Sequence, residues 1–413
     1  MAIRPISLYF LLFIVLLASG CAHQSKQVLE QRSLVSAQME IPEDQLLDVG
    51  VVVFDPGLSE EPGEQEEGNL EEIRKAESRY FATHLKNTLQ NSGQWGAVRV
   101  VASTEAVTDV QITGRIVESD GEILSIAIIA RDVTGRLLLD DVYEQQLEEN
   151  TSYPDMGRGN REAFQNLYNA VANDLLDARQ KLKVKELRSI RKTAMLTFAE
   201  DLAPDAFSGY LEEGDDSRTQ IVRLPAADDP MVKRMDRMRE RDGMLIDTID
   251  GYYDNFYGEM QESYGNWRKI HREELIAKRE IEAASRDRYL LGAAAILGAI
   301  ALEVAGIPGT SILQSVMVVG GAVAIKSGWD KGEEAEIHSD AIKELDQSFE
   351  SEVKPQVLDV EGQTVKLQGS AETQYENWRH MLRKIYDAET GFEQLEAEGG
   401  DMGDTVESLD MNE

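Results

Sequence analysis

The chain has 413 residues, enough for two or three domains, and 42% of it is hydrophobic, a share compatible with globular structure. Against 42 Lys and Arg stand 76 Asp and Glu, and the formal net charge of −34 makes the chain a poor partner for nucleic acid or for the anionic face of a membrane, local basic segments excepted. A single cysteine, Cys21, excludes an internal disulfide, so the fold depends on packing.

The first twenty residues have the architecture of a secretory signal: Arg4, the apolar run Leu8 to Leu17, then the small residues Ala18, Ser19 and Gly20. The apolar run is shorter than the roughly 20 residues that span a bilayer, which argues against an uncleaved membrane helix. The string Leu16-Leu17-Ala18-Ser19-Gly20-Cys21 resembles the lipobox of bacterial lipoproteins, with alanine where leucine is commoner three places before the cysteine. The resemblance implies cleavage before Cys21, acylation of its thiol and new amino terminus, and membrane lipid as a partner. Ala22, in place of aspartate, implies sorting to the outer membrane with the folded part facing the periplasm. Loss of Arg4 then takes the net charge from −34 to −35. An unlipidated signal peptide is the alternative.

Residues 21–45 read as a tether, and 46–190 as an α+β domain. Val51, Val52, Val53 and Phe54 form an apolar run ending at Asp55-Pro56-Gly57, the pattern of a buried strand. After the acidic stretch 59–68, the residues Ile73, Ala76, Tyr80, Phe81, Leu85 and Leu89 recur at helical spacing until Gly93 stops the helix. Strands are predicted at 97–101, 110–118, 123–132 and 136–142, with turns at Ser119-Asp120-Gly121 and Thr134-Gly135. A second helix is predicted over 159–183. This order makes a mainly antiparallel sheet with two helices on one face.

The run Val51 to Asp55, a long helix, and then Asp109-Val110-Gln111-Ile112-Thr113-Gly114-Arg115-Ile116 resemble the periplasmic module of the TolB N-terminal domain, CsgG and LpoB. The resemblance covers about a third of the chain and implies a domain that binds envelope proteins or assembles in rings, with no catalytic residue to carry across. Convergent α+β topology accounts for the same strings.

Residues 191–230 read as a linker, and 231–288 as a long helix. Met231, Met235, Met238, Asp242, Leu245, Ile249, Tyr252 and Phe256 alternate in steps of four and three, a coiled-coil-like seam with one polar intrusion at Asp242. The step to Met260 is a stutter, after which Ser263, Trp267 and Ile270 continue the stripe. A helix this long has to pack on another domain or another subunit. Gly251, Gly258 and Gly265 lie seven apart among aromatic residues, which suggests a close helix contact, with an aromatic belt at a membrane surface as the other reading.

From Tyr289 to Ile325, Glu303 is the only charged residue. Gly306-Ile307-Pro308-Gly309 divides this stretch, and 289–329 reads as an apolar helical hairpin lined with small residues, Gly292 and Gly298 on one arm, Gly320 and Gly321 on the other. Each arm reaches about 21–26 Å, short of a hydrocarbon core of about 30 Å. Insertion in a membrane, burial in a subunit or domain core, and an export stop are the readings open here.

Residues 330–392 read as helix, β-hairpin and helix. Leu358 to Val360 and Thr364 to Leu367 alternate across Glu361-Gly362, and Tyr375, Trp378, Leu382, Ile385 and Tyr386 share a helix face. The string Val365 to Ala371 is similar to small BON-type modules, and a plain packing hairpin is the other reading. Residues 393–413 form an acidic tail without a basic residue, expected to be disordered.

The search for chemistry is negative. The histidines 23, 84, 271, 338 and 380 are scattered, and there is no HExxH, Walker loop, GxGxxG or GxSxG. Asp247, Asp250 and Asp254 fail the calcium-loop alternation because Ile249 takes the third position. The basic run from Arg179 to Lys192 suits a solvated face or a contact with acidic segments or lipid headgroups. No catalytic, cofactor or metal residue is assigned. The chain is expected to be a non-catalytic outer-membrane lipoprotein, a scaffold or assembly factor that pairs with its own copies or with an envelope protein. A membrane-inserting pore component is the first alternative, and an envelope hydrolase a distant one.

Overall fold

A computed structural model describes residues 31–58, 68–148, 162–214, 217–226, 228–304, 340, 343–344, 356–360, 363–367 and 370–390. Its N-terminal half is built on a five-stranded sheet of β1 (Val49–Val52), β2 (Val98–Val101), β3 (Val110–Ser119), β4 (Ile123–Asp132) and β5 (Leu137–Gln146). The strand order is β2-β1-β3-β4-β5. β1 lies between the edge strand β2 and the central strand β3 and runs parallel to both, with Val51 opposite Val100 on one side and Ile112 on the other; β3, β4 and β5 are antiparallel.

The sheet is therefore mixed rather than mainly antiparallel. The physical reason is α1 (Gly68–Ser92), which follows β1 and makes the long crossover that a parallel pair requires. Apolar runs mark strands but carry no record of their partners. Gly93 takes a positive φ of 63° just beyond α1, and Gly121 and Gly135 do the same in the two predicted turns. α1 and α2 (Gln165–Gln180) pack against the sheet, burying Tyr80, Phe81, Leu85, Leu89, Leu167, Val171 and Leu175 over Val51, Ile112, Ile126 and Ile128. Gly114 lets the Phe54 ring close over β3, since a Cβ there would lie 2.6 Å from the ring.

The segment expected to be a linker carries much of α3 (Val184–Leu202), then the single turn α4 (Pro204–Phe207) and the small hairpin β6 (Leu211–Glu213) and β7 (Thr219–Ile221). Leu187, Ile190, Ala194, Phe198 and Leu202 of α3 are buried at helical spacing, an apolar stripe inside the basic run and beyond it. The expected tether is also partly folded, with a 3-10 turn at Glu43–Gln45.

α5 runs unbroken from Pro230 to Val304, 75 residues. The boundary expected at 288/289 is absent because Ser285 to Leu290 contain neither Gly nor Pro to end the helix. Its seam is met: Met235, Met238, Asp242, Leu245, Ile249, Phe256, Met260, Trp267 and Ile270 are buried. The partner is this chain's own module, namely α1, β2, α3 and α6 (Ala371–Thr390). The glycine reading is corrected at two of its three positions: a methyl added to Gly251 or Gly258 would meet nothing within 4 Å. β8 (Gln356–Val360) pairs antiparallel with β9 (Gln363–Leu367), and α6 lays Tyr375, Trp378, Leu382 and Tyr386 on the helical layer.

Candidate functional site

The most concentrated polar chemistry among the described residues lies where α5 crosses α1 and the start of α2. Arg268 of α5 donates two parallel hydrogen bonds to Glu162, Nη1 to Oε1 at 2.6 Å and Nη2 to Oε2 at 2.9 Å, with both side chains 2% exposed or less. Tyr80 donates to Glu162 Oε2 at 3.1 Å, and the Arg268 guanidinium stacks over Tyr264 with its carbon 4.3 Å from the ring centroid. Burial alone would raise the Glu162 carboxyl, but the Arg268 charge reverses that and holds it at about 2.

Two further groups surround the pair. Glu77 Oε1 accepts from Tyr264 Oη at 2.6 Å and from Ser119 Oγ at 2.7 Å, and burial pushes its carboxyl upward against the pull of Arg74. His84 lies between Gln165 Oε1, 2.9 Å from Nε2, and the Tyr257 hydroxyl, 2.6 Å from Nδ1. Since the amide oxygen only accepts, Nε2 carries the proton and Nδ1 accepts from the tyrosine. Burial lowers the imidazole pKa, so the ring is neutral and engaged on both nitrogens. An imidazole held this way acts as a strut between helices rather than as a base toward a ligand.

Elsewhere along α5 the same logic repeats. Lys86 of α1, its side chain 1% exposed, meets Asp254 at 2.7 Å and Asp250 at 3.3 Å, and Asp250 Oδ1 accepts the Val100 amide of β2 at 2.7 Å. α5 thus covers the β2 edge and satisfies one of its outward amides. Asp247 pairs with Arg99. Beside these lies a groove of about 740 Å³, lined by Asp48, Arg99, Arg191, Arg239, Asp242 and Asp247 among others. Burial raises both Asp109, whose carboxylate accepts the Asp48 amide at 2.9 Å, and Asp242 to about 6. Arg379 of α6 bridges Asp201 and Asp242, and Arg383 also reaches Asp201.

The N-terminal segment docks on α2 and α3 from Arg32 onward. Asn166, Asn169 and Asn173, one face of α2, grip its backbone: Asn166 accepts the Arg32 amide, Asn169 donates to the Arg32 carbonyl at 2.9 Å, and Asn173 accepts from Val35 at 2.9 Å and donates to Ser33 at 3.0 Å. Farther along, Arg179 donates to the Gln45 carbonyl, Arg188 pairs with Asp44, and Arg191 donates to the Glu43 carbonyl. The basic run therefore holds an acidic turn, one of the alternatives its composition left open.

Of the residues singled out in the sequence, Gly292, Gly298 and Glu303 belong to the last turns of α5, while Cys21, Pro308, Gly309, Gly320 and Gly321 lie outside the described residues, as do the signal segment and the acidic tail. The buried cluster went unread because Glu162 and Arg268 are 106 residues apart. A signal was present: Tyr264, Arg268 and Arg272 recur every fourth residue on the buried side of α5. Among the described residues no group of His, Cys, Asp and Glu is placed to hold a metal ion, and no helix is long and apolar enough to cross a membrane. Comparison with protein-family models, with curated proteins and with solved structures finds no match.

Proposed function

We propose that the chain is a non-catalytic lipoprotein scaffold or assembly factor of the cell envelope, acylated at Cys21 and held on the outer membrane facing the periplasm. The observation that carries this reading is the mounting of α5. Its charged side chains fix one long helix to an α+β module in a single register, through the buried Arg268–Glu162 pair, the buried Lys86 with Asp250 and Asp254, and the Asp250 contact to β2. A buried bidentate pair adds little net stability over apolar packing, but its geometry admits one alignment only. A rigid strut of this kind suits a protein that holds partners at set positions. On this reading the C-terminal β-hairpin and helix form a further contact unit, and the apolar stretch 289–325 is the element that meets lipid or other copies.

The test is mass spectrometry of the N-terminal peptide together with membrane fractionation of the wild-type chain and Cys21→Ser. Acylated Cys21 and release of the variant from the outer membrane are expected; an unmodified N-terminal peptide sinks the proposal. A second experiment compares the assembly mass of the detergent-extracted chain with that of a chain lacking 289–325, where collapse of a defined oligomer would make that stretch the organising element.

A further inference from the structure

The two edges of the sheet differ. β2 is closed by α5, whose Asp250 accepts the Val100 amide. β5, the opposite edge, is ten residues long, and among the described residues no strand pairs with its outer side. Tyr143 and Gln145 turn their side chains to α2, the first donating to Asp174 at 3.0 Å and the second accepting the Leu167 amide at 2.9 Å. By alternation Asp140 and Val142 lie on the other face, Asp140 opposite Ile129 and Val142 opposite Ala127. The Val142 amide donates to the Asp141 side chain of its own strand at 2.8 Å, so it points away from β4. Backbone groups alternate in direction along an antiparallel strand, and Asp140 and Glu144 therefore present theirs outward as well.

The side chains at this edge select what can pair there. Asp140, Asp141 and Val142 are all exposed, and no cation pairs with either carboxylate among the described residues. A second copy is a poor occupant. Two β5 strands paired antiparallel about a two-fold centred on residue 140 set Asp140 on Asp140; centring on 141 sets Asp141 on Asp141, and centring on 142 sets Asp140 on Glu144. Like charges directly opposite one another destabilise a strand pair. The two carboxylates that keep out a copy attract a strand carrying cations, so one edge charge both blocks the wrong pairing and favours another.

We propose that β5 is a docking edge for an extended segment of a partner protein in which two adjacent Lys or Arg residues stand among β-forming ones. The segment adds a sixth strand about 4.8 Å beyond β5, its backbone bonded to the outward groups of Asp140, Val142 and Glu144. One cation meets Asp140 on the open face, its neighbour meets Asp141 on the helix side, and an apolar residue continues the row of Ala127 and Val142. The role of the docked strand rests on the scaffold reading above, to which it gives a class of partner; the binding itself rests on β5 and not on acylation of Cys21.

The experiment titrates the detergent-extracted full chain into a fluorescent eight-residue peptide of valine and threonine with a central pair of lysines. Anisotropy is read at about 0.15 M salt, where attraction between exposed charges beyond about 8 Å is largely screened. Expected are saturable binding, slower hydrogen exchange over residues 138–146, and a loss of affinity of about fivefold or more in Val142→Pro, which deletes an outward donor and no bond to β4. Asp140→Lys with Asp141→Lys should turn the preference to the same peptide with glutamates in place of the lysines, and this readout stands even if the proline variant does not fold. Absence of saturable binding overturns the docking edge. So does binding that leaves exchange over 138–146 unchanged, or that keeps its preference for lysine in the charge-reversed chain. Protection of 138–146 without peptide, rising with the concentration of the chain, puts a second copy at the edge and also overturns the proposal. Each of these results leaves the lipoprotein reading standing, which falls instead with an unmodified Cys21.

Discussion

Removal of Arg268 should be the most damaging single truncation in α5. Arg268→Ala deletes both hydrogen bonds to Glu162 and the stacking on Tyr264, and leaves a carboxylate 2% exposed with, among the described residues, the Tyr80 hydroxyl and the Phe164 amide to answer it. Breaking one side of a buried pair costs about 3–5 kcal/mol, since the remaining charge is uncompensated. At roughly 2–4 °C per kcal/mol for a body of this size, the melting temperature should fall by about 6–20 °C. The assay is urea unfolding of Cys21→Ser chains followed by tryptophan fluorescence. Arg268→Met with Glu162→Leu should recover most of the loss, because neither charge then needs a partner. The pH profile supplies a second readout. In the wild type Glu162 is held at about 2, below its ordinary value of 4.5, so its contribution is full above about pH 5 and is lost as pH falls toward 2. Arg268→Ala should abolish that acid-side loss. A destabilisation under 1 kcal/mol, or an unchanged acid limb, would refute the claim that this pair locks the helix.

Gly251→Ala and Gly258→Ala should each stabilise the chain by up to about 1 kcal/mol, since the added methyl meets open space in a helix, and a lowered urea midpoint would show that these glycines are needed. Gly121→Ala should cost about 1–3 kcal/mol, because its φ of 84° and the Arg268 carbonyl oxygen both exclude a Cβ; an unchanged midpoint contradicts this. Asn169→Ala with Asn173→Ala removes three of the bonds that hold residues 32–35, so trypsin should cut after Arg32 faster than in the wild type, and equal rates would dismiss the asparagine grip. Asp109 has its pKa raised by burial to about 6, so it favours the fold more as pH falls from 7 toward 4; Asp109→Asn should flatten that part of the stability profile, and an unaltered slope between pH 5 and 8 would count against it.

What could be read from the sequence was whatever repeats within one element. The seam of α5 was legible, Asp242 included, because a buried stripe imposes a period of three and four on neighbouring residues. The turns at Gly121 and Gly135 were legible because left-handed backbone selects glycine. Pairing across distance was not. Nothing in Val51-Val52-Val53 says that β1 will lie between two parallel neighbours, and nothing near Glu162 announces an arginine 106 residues later. The glycine reading went astray for a related reason: a gap in side-chain volume looks the same whether a neighbour fills it or solvent does, and at Gly251 and Gly258 it is solvent. α3 is masked in the sequence by its basic face, under which Leu187, Ile190, Ala194 and Phe198 form the buried apolar stripe.

The order of the chain gives the clamp on β2 a consequence for biosynthesis. A polypeptide emerging amino terminus first presents the whole sheet, α1 and α2 before any of residues 245–272 exist outside the ribosome. Until they arrive, β2 has an outward amide with no carboxylate to meet it, and Lys86, Glu77 and Glu162 lack Asp250, Tyr264 and Arg268. Closing the β2 edge thus falls to the second half of the chain, which is synthesised last.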